Sequence, residues 1–224
     1  MNKRIAKLLS DFGFFVFGKF YGSLGEPSPI YITSKKLYSH PDKMQAVSEE
    51  IAKFMKGKNI DLVAGTMVSG TPLAMAVSLA SHKPFIYLRQ KKRKDGSIVT
   101  LLEGLYRKGE NVLVVDDGIG TGKTKERFIK KLQKKGLVVN HVLVLYDAGV
   151  GHLPFYEKNK ITIHSFVRHN DLVKYMVSNG YISKKLANYM YDIWKNLKIW
   201  QKDQKKWDEF VAIARSEGFN GSSK

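Results

Sequence analysis

Val112-Leu113-Val114-Val115-Asp116-Asp117-Gly118-Ile119-Gly120-Thr121-Gly122-Lys123-Thr124 carries the most structural information in the chain. Its four consecutive apolar residues read as a strand buried on both faces. Two carboxylates follow where that strand should emerge, and then a loop with three glycines that leads into a helix. Backbone N–H groups of a glycine-rich turn can converge on a phosphate, and a helix N-terminus adds the positive end of its dipole. Adjacent carboxylates suit sugar hydroxyls or a magnesium shell. Two commoner nucleotide loops fail on spacing. A Walker A loop needs glycine five positions before its Gly-Lys-Thr, where this chain has Asp117. A dinucleotide fingerprint needs G-x-G-x-x-G, and Gly118-x-Gly120-x-Gly122 is one residue short.

Outward from this loop, apolar runs and helical patterns alternate. Strands are expected at Leu62–Thr66, Phe85–Leu88, Val112–Val115, Val142–Tyr146 and Ile161–Ser165, with helices at about 72–82 and 121–135. That alternation predicts an α/β fold, a mainly parallel sheet flanked by helices, with ligands at the carboxyl ends of the strands. Ahead of it, residues 2–11 read as a short helix and Phe14 to Tyr31 as irregular strands or a hairpin. A further helix runs from Pro41 to about Phe54, where Met44, Val47, Ile51 and Phe54 keep helical spacing. Gln90 to Glu110 fits no element. Its run Lys91-Lys92-Arg93-Lys94-Asp95-Gly96-Ser97 reads equally as a functional loop or as a solvated charge run.

The composition narrows the class. The 224 residues are 43% hydrophobic and 12% aromatic, enough for one substantial core with an appendage. Cysteine is absent, which excludes disulfides and thiolate chemistry, and the six histidines show no metal-ligand spacing. No stretch has the length of a membrane span or the form of a signal peptide, so a cytoplasmic protein with no membrane partner is expected. The net charge of +18 favours polyanions and predicts weak, sequence-independent attraction to nucleic acid. The lysines spread along the whole chain, which equally fits a solubilising surface.

The tail changes character from about residue 170. Ser183 is placed to cap a helix running to about Gln201, with Leu186, Met190, Ile193, Leu197 and Trp200 as its apolar stripe. Trp207, Phe210 and Val211 suggest a second short helix. The tryptophans among basic residues suit docking onto the core or a partner subunit, or else stacking on nucleic acid.

The central stretch resembles the phosphoribosyl pyrophosphate (PRPP) loop of type I phosphoribosyltransferases, and the orotate phosphoribosyltransferases are the most similar group. Phe17-Gly18-Lys19-Phe20 with Ser28-Pro29-Ile30-Tyr31-Ile32 resembles their N-terminal segment. Gly65-Thr66-Met67-Val68-Ser69-Gly70-Thr71-Pro72-Leu73-Ala74 resembles their pyrophosphate turn. Lys83-Pro84-Phe85-Ile86-Tyr87-Leu88-Arg89 resembles the strand before their mobile catalytic loop, and Glu103-Gly104 that loop's return. The correspondence spans about residues 1–170. It implies a phosphoribosyltransferase domain with an N-terminal hood over about 1–40, and a helical C-terminal extension over 171–224.

The resemblance implies transfer of phosphoribosyl from PRPP to a nucleobase, with Mg2+ bound to PRPP and pyrophosphate released. Thr121, Gly122, Lys123 and Thr124, with Gly118, Ile119 and Gly120, would hold the 5′-phosphate. Asp116 and Asp117 would receive the ribose hydroxyls. Thr66, Met67, Val68, Ser69 and Gly70, with Arg89, would serve the pyrophosphate, while Lys91 and Arg93 would ride on the closing loop. No metal ligand supplied directly by the protein is implied. Such loops reach into a neighbouring subunit, so a homodimer is implied too.

The departures cluster on the base side. Ser23 stands where the family has a lysine reaching the reaction centre, and Ala148 where it has an arginine that contacts orotate. The mobile loop reads Arg93-Lys94-Asp95-Gly96, without the family's histidine. Gln90 stands where a lysine often follows the arginine, and Lys123 replaces a glycine. Since a carboxylate leaving water needs charge-assisted partners, weak orotate binding is expected. Two readings stay open: a working transferase, for orotate or an altered base, and a non-catalytic PRPP-binding regulator.

Overall fold

Leu62–Gly65 (β3) and Asn111–Ile119 (β6) lie side by side and parallel in a computed structural model, which describes residues 1–21, 27–66 and 68–219. Both are runs of buried apolar residues, as a strand covered on two faces must be. Phe85–Lys92 (β4) joins β3 in parallel, and Ile98–Glu103 (β5) closes that edge antiparallel to β4. With Val138–Asp147 (β7) and Thr162–Arg168 (β8) the sheet order is β5-β4-β3-β6-β7-β8. This is the mostly parallel α/β sheet expected from the alternation.

Period-two alternation divides the strand residues between two faces. Ala64, Ile86, Val112, Val114 and Val144 pack with Phe128, Ile129 and Leu132 of Lys123–Gln133 (α4). Val63, Leu113 and Val115 alternate to the opposite face, where Gly70–Ser81 (α3) packs on β3 and β6. Pro41–Met55 (α2) packs on α3, with Pro41 in its first turn, where a missing N–H costs nothing.

The chain divides into two units. One contains Leu37–Leu145 and His152–Ser165, and so holds β3 to β6 and α2 to α4, together with Pro154–Lys158 (α5). The other gathers Met1–Lys36, Tyr146–Gly151 and Phe166–Lys224. Within it, Lys3–Asp11 (α1) begins at Asn2, whose Oδ1 accepts from Ile5 N at 3.1 Å. Phe15–Tyr21 (β1) and Pro27–Ile32 (β2) form the antiparallel hairpin read from the aromatic segment. His169–Ser178 (α6), Lys184–Lys195 (α7), Leu197–Trp200 (α8) and Gln204–Ser216 (α9) complete it. The tail packs against the N-terminal hairpin: Phe17 meets Phe210 edge-on at 5.3 Å, and Trp207 Nε1 donates to the Gly18 carbonyl at 3.1 Å.

Three expectations need correction. Gln90 to Glu110 is not elementless, because β4 runs on to Lys92 and pairs with β5, Lys91 opposite Val99 and Arg89 opposite Leu101. An Asp-Gly turn joins them, and Asp95 Oδ1 accepts from the Ser97 N–H at 2.9 Å. Its basic side chains hide the alternation because this edge faces solvent instead of the core. Next, β6 continues through Asp116 and Asp117 to Ile119 and does not end at Val115. Finally, the helix begun by Ser183 breaks at Asn196, whose Nδ2 bonds back to Asp192 and whose carbonyl starts α8. Neither α5 nor α6 was expected: α5 is only a turn and a half, and α6 follows its strand without a capping side chain.

Candidate functional site

Asp116 lies near the end of β6, 6% exposed. Its Oδ1 accepts from the Asp117 N–H at 2.9 Å and its Oδ2 pairs with Lys125 Nζ at 2.5 Å. The same ammonium donates to the Gly118 carbonyl at 2.5 Å. Lys125 is equally buried, so a desolvated ion pair straps the first turn of α4 to the end of its own strand. Such a pair is tolerated only while both charges and their remaining hydrogen bonds are satisfied. Asp117 is half-buried and alternates to the other side of the strand.

The loop that follows is braced from outside. Gly118 and Ile119 still belong to β6, and Ile119 is buried in the core. Gly120 and Thr121 turn the chain, with the Thr121 carbonyl accepting from the Leu153 N–H at 3.0 Å. Gly122 caps α4 at φ 86°, a left-handed conformation open to glycine, and a Cβ there would run into the Tyr156 ring. Tyr156 donates its O–H to the Gly122 carbonyl at 2.5 Å. Burial, followed by the Glu126 carboxylate, pushes that phenol well above its ordinary range, so it stays a donor. Thr121, Lys123 and Thr124 are exposed around the N-terminus of α4, whose cap offers no side-chain acceptor to its first amides.

A second turn is held against this one. Thr66 is buried, and its N–H donates to the Val115 carbonyl at 3.4 Å. Gly70 opens α3 so close to β6 that a Cβ would lie 2.6 Å from the Val115 oxygen and 3.0 Å from both Asp116 Oδ1 and Thr66 Oγ1. Only glycine allows that approach. Tyr38 clamps the turn by donating to the Ser69 carbonyl at 2.7 Å. Val68 is 76% exposed at the tip. Gly70 is thus brought to Asp116 with Thr66 beside it, Val68 and Ser69 precede it in the chain, and Met67 lies outside the described residues.

Arg89, Lys91 and Arg93 lie on the β4–β5 hairpin, separated from β6 by β3 in the sheet order. The Arg89 guanidinium pairs with Glu103 across the hairpin, at 2.6 Å and 2.8 Å. Lys91 and Arg93 are exposed. Ala148 belongs to the other unit, 4% exposed beyond the end of β7, and Asp147 Oδ1 accepts from the following Gly149 N–H at 2.9 Å. Ser23 lies outside the described residues. Among the described residues no group of three or more acidic, histidine or cysteine side chains forms a metal cage, and no helix is long and apolar enough to cross a membrane.

Sequence reading missed Lys125, Tyr156, Tyr38 and the Glu103 partner of Arg89. For Lys125 a signal existed. Positions 125, 128, 129 and 132 share one helical face, and the last three are apolar. A lysine on that face requires a buried carboxylate. Tyr156 gave no local signal, since its partner is a carbonyl far along the chain.

Residues 33–172 match the family model "Phosphoribosyl transferase domain". The chain is similar to the orotate phosphoribosyltransferase of Methanocaldococcus jannaschii, 30% identical over 76% of this chain and 96% of that one. It is also similar to the orotate phosphoribosyltransferase of Pyrococcus abyssi, 32% identical over 77% and 95%. Among solved structures, a Leishmania donovani UMP synthase superposes with a TM-score of 0.75 at 31% identity, over 86% of this chain and 42% of that longer one. The orotate phosphoribosyltransferase from Aeropyrum pernix superposes with a TM-score of 0.64 at 27% identity, over 77% and 97%. The strand, the acidic pair, the braced loop and the turn beside it therefore sit in a chain that belongs to the type I phosphoribosyltransferases, in their orotate phosphoribosyltransferase-like branch.

Proposed function

We propose that this chain is an enzyme that transfers phosphoribosyl from PRPP to orotate and releases pyrophosphate. The observation that carries the proposal is the joining of two loops at Asp116. The glycine-rich loop ends in a helix N-terminus that no side chain caps, and Gly70 of the neighbouring turn packs against the same carboxylate. In this reading the amides and hydroxyls of 121–124 hold the 5′-phosphate, and Asp117 receives the ribose hydroxyls beside an Asp116 fixed by Lys125. The 66–70 turn and Arg89 receive the pyrophosphate, with Lys91 and Arg93 closing over it from the hairpin.

A base nitrogen attacks C1 of the ribose as the bond from C1 to the pyrophosphate oxygen breaks. Positive charge develops on the sugar and negative charge on the leaving group, so the gain comes from positioning and fixed charges. Magnesium bound to PRPP would neutralise charge on the departing pyrophosphate. Asp117 is the half-buried carboxylate suited to its water shell. A homodimer and a cytoplasmic setting, where such charged metabolites are confined, complete the proposal. The regulatory alternative is not favoured, because the two curated relatives above, matched along almost their whole length, bear the name of an enzyme.

The test is PRPP affinity by calorimetry with magnesium, alongside orotate consumption followed by absorbance. Asp117→Asn, and Asp116→Asn with Asp117→Asn, should each weaken PRPP binding at least about tenfold, the value of a lost charge-assisted hydrogen bond. Unchanged affinity in both variants, or no orotate turnover by the wild-type protein, overturns the proposal.

A further inference from the structure

His141 on β7 and His164 on the neighbouring β8 take no part in the transfer proposed above, and both belong to the unit that holds α2 to α5. Val142 and Val144 of β7 and Ile163 of β8 pack in the core beside α4. Alternation along each strand therefore sends both imidazoles to the other face of the sheet. They meet there, His141 Nδ1 lying 3.2 Å from His164 Nε2 with the rings tilted by 55°. Both are half-buried, so water still reaches them.

A hydrogen bond is one use of that spacing, and chelation is another. Imidazole nitrogens bind zinc at about 2.0–2.1 Å, so two of them on a tetrahedral ion stand about 3.3–3.4 Å apart. The two strands hold the rings near that separation in advance. Burial first, then the adjacent ring for His164 and the charge of Lys58 for both, lowers each imidazole from its ordinary value. At neutral pH each ring thus offers a lone pair. Phe54 of α2 walls the pair, 4.6 Å from His164 and edge-on to His141 at 6.5 Å between ring centres. Lys58 donates to the Phe54 carbonyl at 2.8 Å, with its Nζ 4.1 Å from the centre of that ring. Its charge opposes a cation nearby. Among the described residues no third acidic, histidine or cysteine side chain joins the pair. Nitrogen donors without carboxylates do not suit magnesium or calcium, which take oxygen. They suit the borderline transition metals.

We propose that His141 and His164 chelate a divalent transition metal ion of the zinc or copper class, with water filling its remaining positions. Each ring binds through the nitrogen that now faces the other. The ring that donates the present hydrogen bond passes its proton to its other nitrogen through water, so neither ring loses a proton overall. Structural zinc sites use four protein ligands, so an ion held by two is exchangeable. It ties β8, the edge strand, to β7, and binding to the folded state alone stabilises the chain by mass action.

Calorimetric titration of the untagged full chain with zinc chloride, in a buffer holding excess magnesium, tests the proposal. One zinc ion should bind per chain and raise the thermal midpoint, and magnesium should not compete. His141→Ala and His164→Ala should each weaken zinc binding about tenfold or more. Lys58→Met should tighten it severalfold, because a repelling charge is gone. Circular dichroism checks that each variant folds, and His141→Gln and His164→Gln, which keep more of the side chain, repeat the comparison if an alanine variant does not. A wild-type chain that takes up no zinc, or zinc binding that is equal in the wild type and in both histidine variants, overturns the proposal.

Discussion

The buried pair of Asp116 and Lys125 shows how one residue conditions the site. Removing one partner of a buried ion pair strands the other charge, at a cost of about 3–5 kcal/mol. Lys125→Met should therefore lower stability by about that amount in urea unfolding, and PRPP affinity should fall because Asp116 loses its anchor. Replacing both, Lys125→Met with Asp116→Leu, should recover much of the stability, since no charge is left unpaired, but not the PRPP affinity. Equal PRPP affinity in the double variant would reduce the pair to a structural strap. The acidic pair and the glycines were legible in sequence because their chemistry is local. Tyr156 and Tyr38 were not, because each acts on a carbonyl brought to it by the fold.

At the level of elements, parallel strands were read well because burial on both faces leaves an unbroken apolar run, as in Val112–Val115. Strand ends were read poorly, because β6 carries two acids and a glycine past its apolar stretch. The β4–β5 hairpin was lost for a different reason: an edge pair in solvent is held by backbone bonds and needs no hydrophobic pattern. The only described link between its Arg89 and an acid is an exposed bridge to Glu103, and exposed bridges contribute about 0–1 kcal/mol. Arg89 can therefore exchange Glu103 for a phosphate at little cost. Amides of residues 90–101 should exchange rapidly in the free protein and slow when PRPP and magnesium are added, as hydrogen exchange with mass spectrometry would report. Unchanged protection would mean that the hairpin does not close.

For the whole molecule, buried histidines in both units contribute to acid sensitivity. Burial holds His169 down to about 4, against the opposing hydrogen bond to Met190. Burial also lowers His141 and His164, which lie 3.2 Å apart, Nδ1 to Nε2, under the positive charge of Lys58. A depressed histidine is neutral in the folded state while the unfolded chain already takes a proton. The part of the stability that rests on these imidazoles is thus complete above about pH 6.5 and lost as pH falls, for His169 progressively toward about 4. For His169 the shift from 6.5 corresponds to a loss on the order of 3 kcal/mol. Urea midpoints should fall steadily from about pH 7 to about pH 4.5, and His169→Gln should flatten that slope. A midpoint independent of pH in the wild-type protein would contradict the buried, neutral imidazole. The +18 charge acts on another scale, raising surface potential without choosing a fold.

The strap at Lys125 also turns the molecule into its own reporter. Among the described lysines it is the one that is buried; the others are half-buried or exposed, and the exposed amines would be acylated within minutes by a mild reagent. An ammonium enclosed by a carboxylate and a carbonyl is a poor nucleophile until the strap lets go. The lag before Lys125 is modified, read by peptide mass, would time the opening of the glycine-rich loop without any ligand or engineered residue.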